Sequence, residues 1–387
     1  MHWSSSRART RRRTQRVALT PLPLESLARS LRPGSAPAVV QRFDQVPGVE
    51  LIDVDLPREP AAAPTSRTVQ ARLHPNFIRH YSQPSYQLRV AQIPNGRLAL
   101  SGGVFTRRDE LVLESLWDGP HFERDFARMR RLPSPRRLTG TGASIISLWV
   151  ENYFHWMFNC LPRLAVLQAS AITFDYLIVP ENLRPFQTAT LEKLGYSGDM
   201  LVPFTGQHIA IESLVWAAPL APINEPSRFL LEWVRSNLRS RVEIPNRRLY
   251  VSRRGGTRRT VNEDEIYGRL EPLGYEFILP EEYSFDEQLE VFGQARVAVG
   301  PHGSNFVNGV FSDRLSVLEC FQPEHVNWGV YSVLCAAGHD HWNILCESVG
   351  RRGPKRFSDM RVDWREVEAS LMRIDAELAS ESDAERA

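Results

Sequence analysis

The chain has 387 residues, 42% of them hydrophobic and 24% charged, which is enough for a sizeable core and suits two domains better than one. A net charge of +2 excludes a molecule built as a whole around nucleic acid. No uninterrupted apolar run approaches the roughly 20 residues that cross a bilayer. No apolar segment follows the basic start, so no signal peptide is expected. Cys160, Cys320, Cys335 and Cys346 lack metal or redox spacing, which suits a reduced, intracellular protein. Lys193 and Lys355 are the only lysines, so the positive charge is almost all arginine.

Residues 1–72 read as a basic, proline-rich arm and linker, largely disordered. SSSRARTRRRTQR could contact anionic lipid or RNA through counterion release, but a solvated arm is the simpler reading. LPREPAAAPTS (Leu56–Ser66) reads as a linker. A globular pattern begins at Leu73, and the first α/β domain is placed at 73–240. Tyr86–Ile93 and Arg97–Leu100 read as strands around the turn Pro94–Asn95–Gly96. Val104 and Phe105, then Leu111–Leu116, continue a meander. Gly140–Ser144 (GTGAS) lacks a full dinucleotide fingerprint and is expected to be a turn.

Asn152–Gln168 carries apolar residues at helical spacing: Phe154, Met157, Phe158, Leu161, Leu164 and Ala165. Asn152, His155, Asn159 and Arg163 follow at steps that stack side chains on the opposite helix face, expected to look into a cleft. Pro162 should bend or end the first part of this helix. Strands at Tyr176–Val179, Leu201–Val202 and Ser213–Ala217 follow, with helices over Arg184–Leu194 and Arg228–Arg239. Pro219–Pro226 suggests a crossing into a second domain at 244–350.

That second half alternates four short apolar runs with helix-like runs: Leu249–Ser252, Tyr275–Leu279, Val297–Gly300 and Ser316–Cys320. Such alternation marks a parallel sheet with crossover helices. The segments that end the runs, SRRGGTRR, PEEYS, GPHGSN and FQPEH, should gather at the carboxyl edge, where ligands bind. Arginines, a histidine and backbone N–H groups there suit a phosphorylated ligand. Asn262 with Glu265 and Ser284 with Glu287 are expected capping boxes, and a helix should start near Ser304. Gly300 and Gly303 let backbone come close to a ligand. Over 360–387, a capping box of Asp363 with Glu366 opens a helix whose stripe Val367, Leu371, Ile374 and Leu378 should pack back on the protein.

NYFHWMFNCLPRL (Asn152–Leu164), RLYVSRR (Arg248–Arg254), LP-x-E-YSF-x-EQ (Leu279–Gln288), GPHGSNFVN (Gly300–Asn308) and VLEC (Val317–Cys320), in that order, resemble glycosyltransferase family 61. The family includes bacterial transferases of the capsular-polysaccharide type. The resemblance implies an α/β, GT-B-like fold, with two Rossmann-like domains facing a cleft. It also implies inverting transfer of a sugar from a nucleotide-sugar, usually a UDP-sugar, with no obligatory metal and no other cofactor. The acceptor would be a glycan or a lipid-linked glycan, with no nucleic-acid partner expected. The setting would be cytoplasmic, peripheral at the inner membrane face. Asp53-Val54-Asp55 is the chain's DxD and is given no catalytic role.

On that reading, Ser252, Arg253 and Arg259 would hold phosphate. His302, Gly303 and Ser304 would face the diphosphate or sugar, with Gly300 beside them; Asn305 would join them or, with Asn308, cap and pack the following helix. Glu319 could take ribose hydroxyls or sit at the rim; Glu281 and Tyr283 are further contact candidates. Asn152 and Arg163 would line the acceptor side. The family helix usually carries an acid at the place of Asn159, and an amide cannot accept a proton. His155 could act as the base, Glu151 could replace it, or the chain could bind nucleotide-sugars or glycans without turnover.

Overall fold

The structure is a computed structural model that describes residues 39–40, 42–57, 66–77, 88–100, 102–116, 132–147, 149–219, 227–239, 245–350 and 355–386. The arm over 1–38, 58–65 of the linker, 86–87 of the first expected strand and 220–226 of the expected crossing lie outside the described residues.

Two main sheets carry the mixed α/β fold. The first has ten strands: β1 (Val39–Val40), β2 (Glu50–Asp53), β3 (Arg89–Pro94), β4 (Arg97–Ala99), β5 (Gly103–Phe105), β6 (Leu111–Val112), β7 (Arg136–Ser144), β8 (Tyr176–Pro180), β9 (Leu201–Phe204) and β10 (Ile209–Ala217). β9, β8, β7 and β10 form a parallel half. β3 and β4 share the other edge of β10 and lead an antiparallel meander through β5 to β6. Between β7 and β8 lie α1 (Tyr153–His155), a π turn (Trp156–Cys160) and α2 (Arg163–Ala169). Helix α3 (Pro185–Lys193) joins β8 to β9, and α4 (Arg228–Leu238) precedes the second sheet.

Three local expectations are corrected. GTGAS is not a turn but the end of β7. Gly140, at φ +80°, inserts a bulge against β10, where Glu212 accepts its N–H at 2.7 Å. Part of the expected arm is sheet: β2 pairs with β3, and Phe43 is buried against Trp216, ring centroids 4.6 Å apart. Strands this short leave little periodicity to read within an Arg- and Pro-rich context. Asn262 does not close a capping box, because its amide is spent on both backbone groups of Val362, at 2.9 and 3.0 Å.

The second sheet is wholly parallel, in the order β12–β11–β13–β14–β15. Its strands are β11 (Arg247–Val251), β12 (Tyr275–Ile278), β13 (Ala295–Pro301), β14 (Ser316–Phe321) and β15 (Asp340–Leu345). The crossovers are α5 (Glu263–Leu270), α6 (Phe285–Gly293), a 3₁₀ run Ser304–Phe311, and α7 (Gly329–Ala336). The Ser284–Glu287 box opens α6 as expected. Because β12 lies on one side of β11 and β13 on the other, the chain reverses direction across the sheet between β11 and β13. A crevice at the carboxyl ends of these strands follows from that switch.

One face of this sheet joins the first sheet in a continuous apolar core, with Val251, Ala298 and Phe306 in the same cluster as Val179 and Leu191. The other face is covered by α8 (Trp364–Arg386), which buries Val367, Leu371 and Ile374 against Val299, Leu318 and Ile344. Asp363 caps α8 by accepting from Arg365 N–H at 2.9 Å, whereas the Glu366 carboxylate takes the Gln70 amide. A two-stranded sheet, β16 (Glu347–Val349) with β17 (Asp359–Arg361), precedes that helix. The segment 66–77 closes the β15 edge: Arg67 N–H donates to His341 O at 2.9 Å and Asn343 N–H to Arg67 O at 2.8 Å. Among the described residues no helix is long and apolar enough to cross a membrane.

Candidate active site

The loop after β11 divides its polar groups between two sides. Ser252 Oγ donates to Glu263 Oε1 at 2.7 Å, and Arg254 pairs with Glu263 and Asp264. Arg259 pairs with Asp359 through its backbone N–H at 3.0 Å and its guanidinium at 2.7 Å. A pocket of about 320 Å³ lined by Arg254, Arg259, Thr260, Val261, Glu263 and Asp264 lies within this paired set. Ser252 and Arg259, expected to face the crevice with Arg253, are therefore turned to acids.

Arg253 and Arg258 take the other side. The Arg253 guanidinium packs where Gly303 lacks a side chain; a Cβ there would lie 1.9 Å from Nη1. Arg253 also feels the charges of Glu281 and Glu319. Arg258 sits at φ +60° and its buried Nε has no hydrogen-bond partner. That left-handed residue reverses the alternation of the loop and returns a second guanidinium toward Glu319. Burial, then the charge of Arg253, pull the Arg258 pKa down to about 10 against the opposing effect of Glu319. Both forces disfavour an unneutralised cation, so an anion placed there would relieve them.

His302 follows β13 and stacks on Phe321, ring centroids 4.4 Å apart. Its Nδ1 lies 2.9 Å from Glu319 Oε1, and His341 Nε2 lies 2.9 Å from Glu319 Oε2. Glu319, expected at the rim or on ribose, is fully buried with each oxygen taken by an imidazole. Burial alone would raise its carboxyl; the charge and hydrogen bond of His302 and the hydrogen bond of His341 override that and hold it at about 2. His302 is lowered, by burial first and then by Arg258 and Arg253, with Glu319 pulling the other way. The pair is best described as an ionised carboxylate between two imidazole N–H donors. His325, 5.8 Å from His302, is pushed down to about 3 by burial and by the charges of Arg258, His302, Arg356 and Arg253.

The segment 66–77 completes this region. Ser66 Oγ is 2.6 Å from His341 Nδ1 and accepts from Asn343 Nδ2 at 2.7 Å. Phe77 packs edge-on against Phe321 and Tyr331. Gly300 serves the sheet rather than a ligand, since a Cβ on it would lie 2.2 Å from Val251 O of the neighbouring strand. Ser304 and Asn305, at the start of the 3₁₀ run, are half-buried. Glu281 is exposed, with Oε1 2.6 Å from the place of a Cβ on Gly255; Tyr283 packs on the core.

The second group of expected residues forms a separate constellation. The Asn152 side chain caps α1, accepting from Phe154 N–H at 2.9 Å. The expected polar face does not look into an open cleft: Asn159 and Arg163 are buried. The Arg163 guanidinium donates to Asn159 O and Ala217 O and lies over Trp216. The π turn and the break at Pro162 explain the difference, because they rotate the last two members of the stripe inward. His155 remains half-buried, with Nδ1 2.8 Å from Asn159 Oδ1 and its ring beside exposed Trp149. Burial lowers the His155 pKa, with the Asn159 hydrogen bond acting in the opposite sense. The helix from Asn152 meets the 3₁₀ run after His302 at Asn308, which accepts from Tyr153 Oη and donates to Gln288 Oε1 at 2.9 Å.

A family model described as Glycosyltransferase 61 matches residues 153–318. The match supports a family 61 glycosyltransferase, and the chain is similar to that family over this span. It takes in the His155–Asn159 pair, the arginine loop and His302, and ends one residue before Glu319. No curated protein matches the chain. Among the described residues no cluster of three or more His, Cys, Asp or Glu side chains is arranged to hold a metal ion.

Arg258, His325, His341 and Ser66 were not legible as site residues. Arg258 is hidden by the φ reversal. His341 and Ser66 could have been sought by asking which donors satisfy a buried Glu319, since buried carboxylates need partners.

Proposed function

We propose that the protein is an inverting glycosyltransferase that moves a sugar from a nucleotide-sugar, UDP-linked by the family resemblance, to a glycan or lipid-linked acceptor. The observation that carries this reading is the pair of guanidinia, Arg253 and Arg258, brought together at the β11–β13 switch inside the span matched by the family model. These guanidinia would take the diphosphate oxygens as charge grows on the leaving group, in place of a metal. In the transfer step the acceptor O–H bond breaks and its oxygen bonds the anomeric carbon. The bond from that carbon to the diphosphate breaks, and the proton passes to a base. The two α/β units would act as the donor and acceptor halves of a GT-B arrangement, at the cytoplasmic face of a membrane and in surface-polysaccharide synthesis.

A thermal-shift screen of nucleotide-sugars tests the donor, because a ligand that binds only the folded state raises apparent stability. Release of UDP with candidate acceptors, in the presence of a chelator, then tests transfer and metal independence. No stabilisation by any nucleotide or nucleotide-sugar would reject the reading. A second reading is favoured by Asn159: an amide beside His155 suits a chain that binds nucleotide-sugar with little turnover. Stoichiometric binding without UDP release across an acceptor panel would select it.

A further inference from the structure

Glu319 has the most constrained hydrogen bonding in the site, and its constraint propagates. The carboxylate is fully buried with an imidazole nitrogen 2.9 Å from each oxygen, and a carboxylate only accepts hydrogen bonds. The hydrogen between it and His302 therefore sits on Nδ1, and the one between it and His341 sits on Nε2. A neutral imidazole carries one N–H, so His341 Nδ1 must accept. The group it faces is Ser66 Oγ, at 2.6 Å, whose hydrogen then points to His341. The Ser66 lone pairs in turn accept from the Asn343 amide at 2.7 Å, and that amide also donates to Arg67 O at 3.0 Å. One assignment satisfies every member from Asn343 to His302. The far nitrogen of His302, Nε2, makes no hydrogen bond among the described residues.

We propose that Glu319, itself held by His341 with Ser66 behind it, is a positioning residue that fixes His302 as its Nδ1–H tautomer and leaves Nε2 a bare acceptor for a hydroxyl of the ligand held by Arg253 and Arg258. The segment 66–77, separated by more than 200 residues in sequence from His302, thereby completes the site. The charged and titratable groups around the His302 ring are Glu319, Arg253, Arg258 and His325. Two guanidinia and burial oppose a second proton, so His302 acts as a neutral acceptor rather than a phosphate cation. A bare nitrogen repels phosphate lone pairs and accepts an O–H, which splits the site into an anionic half on the arginines and a hydroxyl half on His302. The hydroxyl half rests on the glycosyltransferase reading; the tautomer does not.

The test uses the full chain with ¹⁵N-labelled histidine, its ring nitrogens read by NMR at neutral pH and His302 assigned by loss of signal in His302→Gln. The expected result is a hydrogen on Nδ1 and none on Nε2. Glu319→Gln, whose amide can donate as well as accept, shifts His302 toward mixed tautomers, whereas Ser66→Ala moves only the His341 Nδ1 signal, which loses its hydroxyl donor, and Ser66→Thr restores it. A hydrogen on Nε2 of wild-type His302, or a His302 ring unmoved in Glu319→Gln, would overturn the positioning role. Adding UDP leaves the ring neutral; protonation of His302 on binding would make it a phosphate cation and overturn the acceptor role. The tautomer is read without ligand, so its failure is distinct from failure of the transferase reading.

Discussion

His155 and His302 present the same ring through different supports. Each has Nδ1 held by a side-chain oxygen, at 2.8 and 2.9 Å, and each is lowered by burial. The oxygen beside His155 belongs to an amide, and that beside His302 to a buried carboxylate shared with a third imidazole. An amide orients a ring. A carboxylate orients it, fixes its tautomer and stabilises any proton it gains. The comparison teaches that a histidine motif acquires its chemistry from the residue behind it.

Removing the supports should break this contrast most visibly. Glu319→Ala strands two buried N–H donors and should destabilise the fold by roughly 2–6 kcal/mol, against about 1–3 for Asn159→Ala, which strands one. Urea unfolding of both variants measures the difference, and equal losses would dissolve the distinction. Next in size is ligand binding. Arg253→Ala should weaken UDP binding roughly 10- to 100-fold, the range of a lost charge-assisted bond, whereas Arg259→Ala should change it by no more than about twofold. Calorimetry separates the two, and a matched loss would return Arg259 to the crevice.

Asn159→Asp sharpens the comparison by making the first pair resemble the second. The new carboxylate should raise the His155 pKa by roughly one to two units, seen by NMR titration. Acid stability follows from the same rings. His302, His155 and His325 have folded pKa values below their ordinary 6.5, so the unfolded chain binds more protons as pH falls. Stability should be full above that value and decline below it, with His325 contributing down to about 3. Glu319 adds its loss only as pH falls from 4.5 toward about 2. Urea midpoints across this range should fall less steeply in His302→Gln and in His155→Gln than in the wild type, because each variant lacks one ring that gains a proton on unfolding. Smallest of all, Gly303→Ala should push the Arg253 guanidinium aside and weaken UDP binding several-fold, with unfolding stability changed by less than about 1 kcal/mol, since φ −172° suits any residue.

Much of the second sheet was legible because each strand is a short apolar run closed by a polar segment and followed by helical periodicity. β15 does not stand out in the sequence as a fifth strand, since its polar residues His341 and Asn343 interrupt the apolar run while pairing inside the structure. The helix from Asn152 is legible in its apolar spacing, but the surroundings of its polar stripe are not, because a π turn and Pro162 change the rotation per residue.

By itself the chain determined the parallel alternation, the strand ends that carry Arg253 and His302, and the amphipathic C-terminal helix. All of these are local patterns of polarity and turn residues. Only the tertiary structure decided which arginines face the crevice, that Glu319 is buried between two imidazoles, and that Ser66 stands behind them. Those outcomes depend on one left-handed residue and on hydrogen bonds between positions hundreds of residues apart, and no local pattern encodes either.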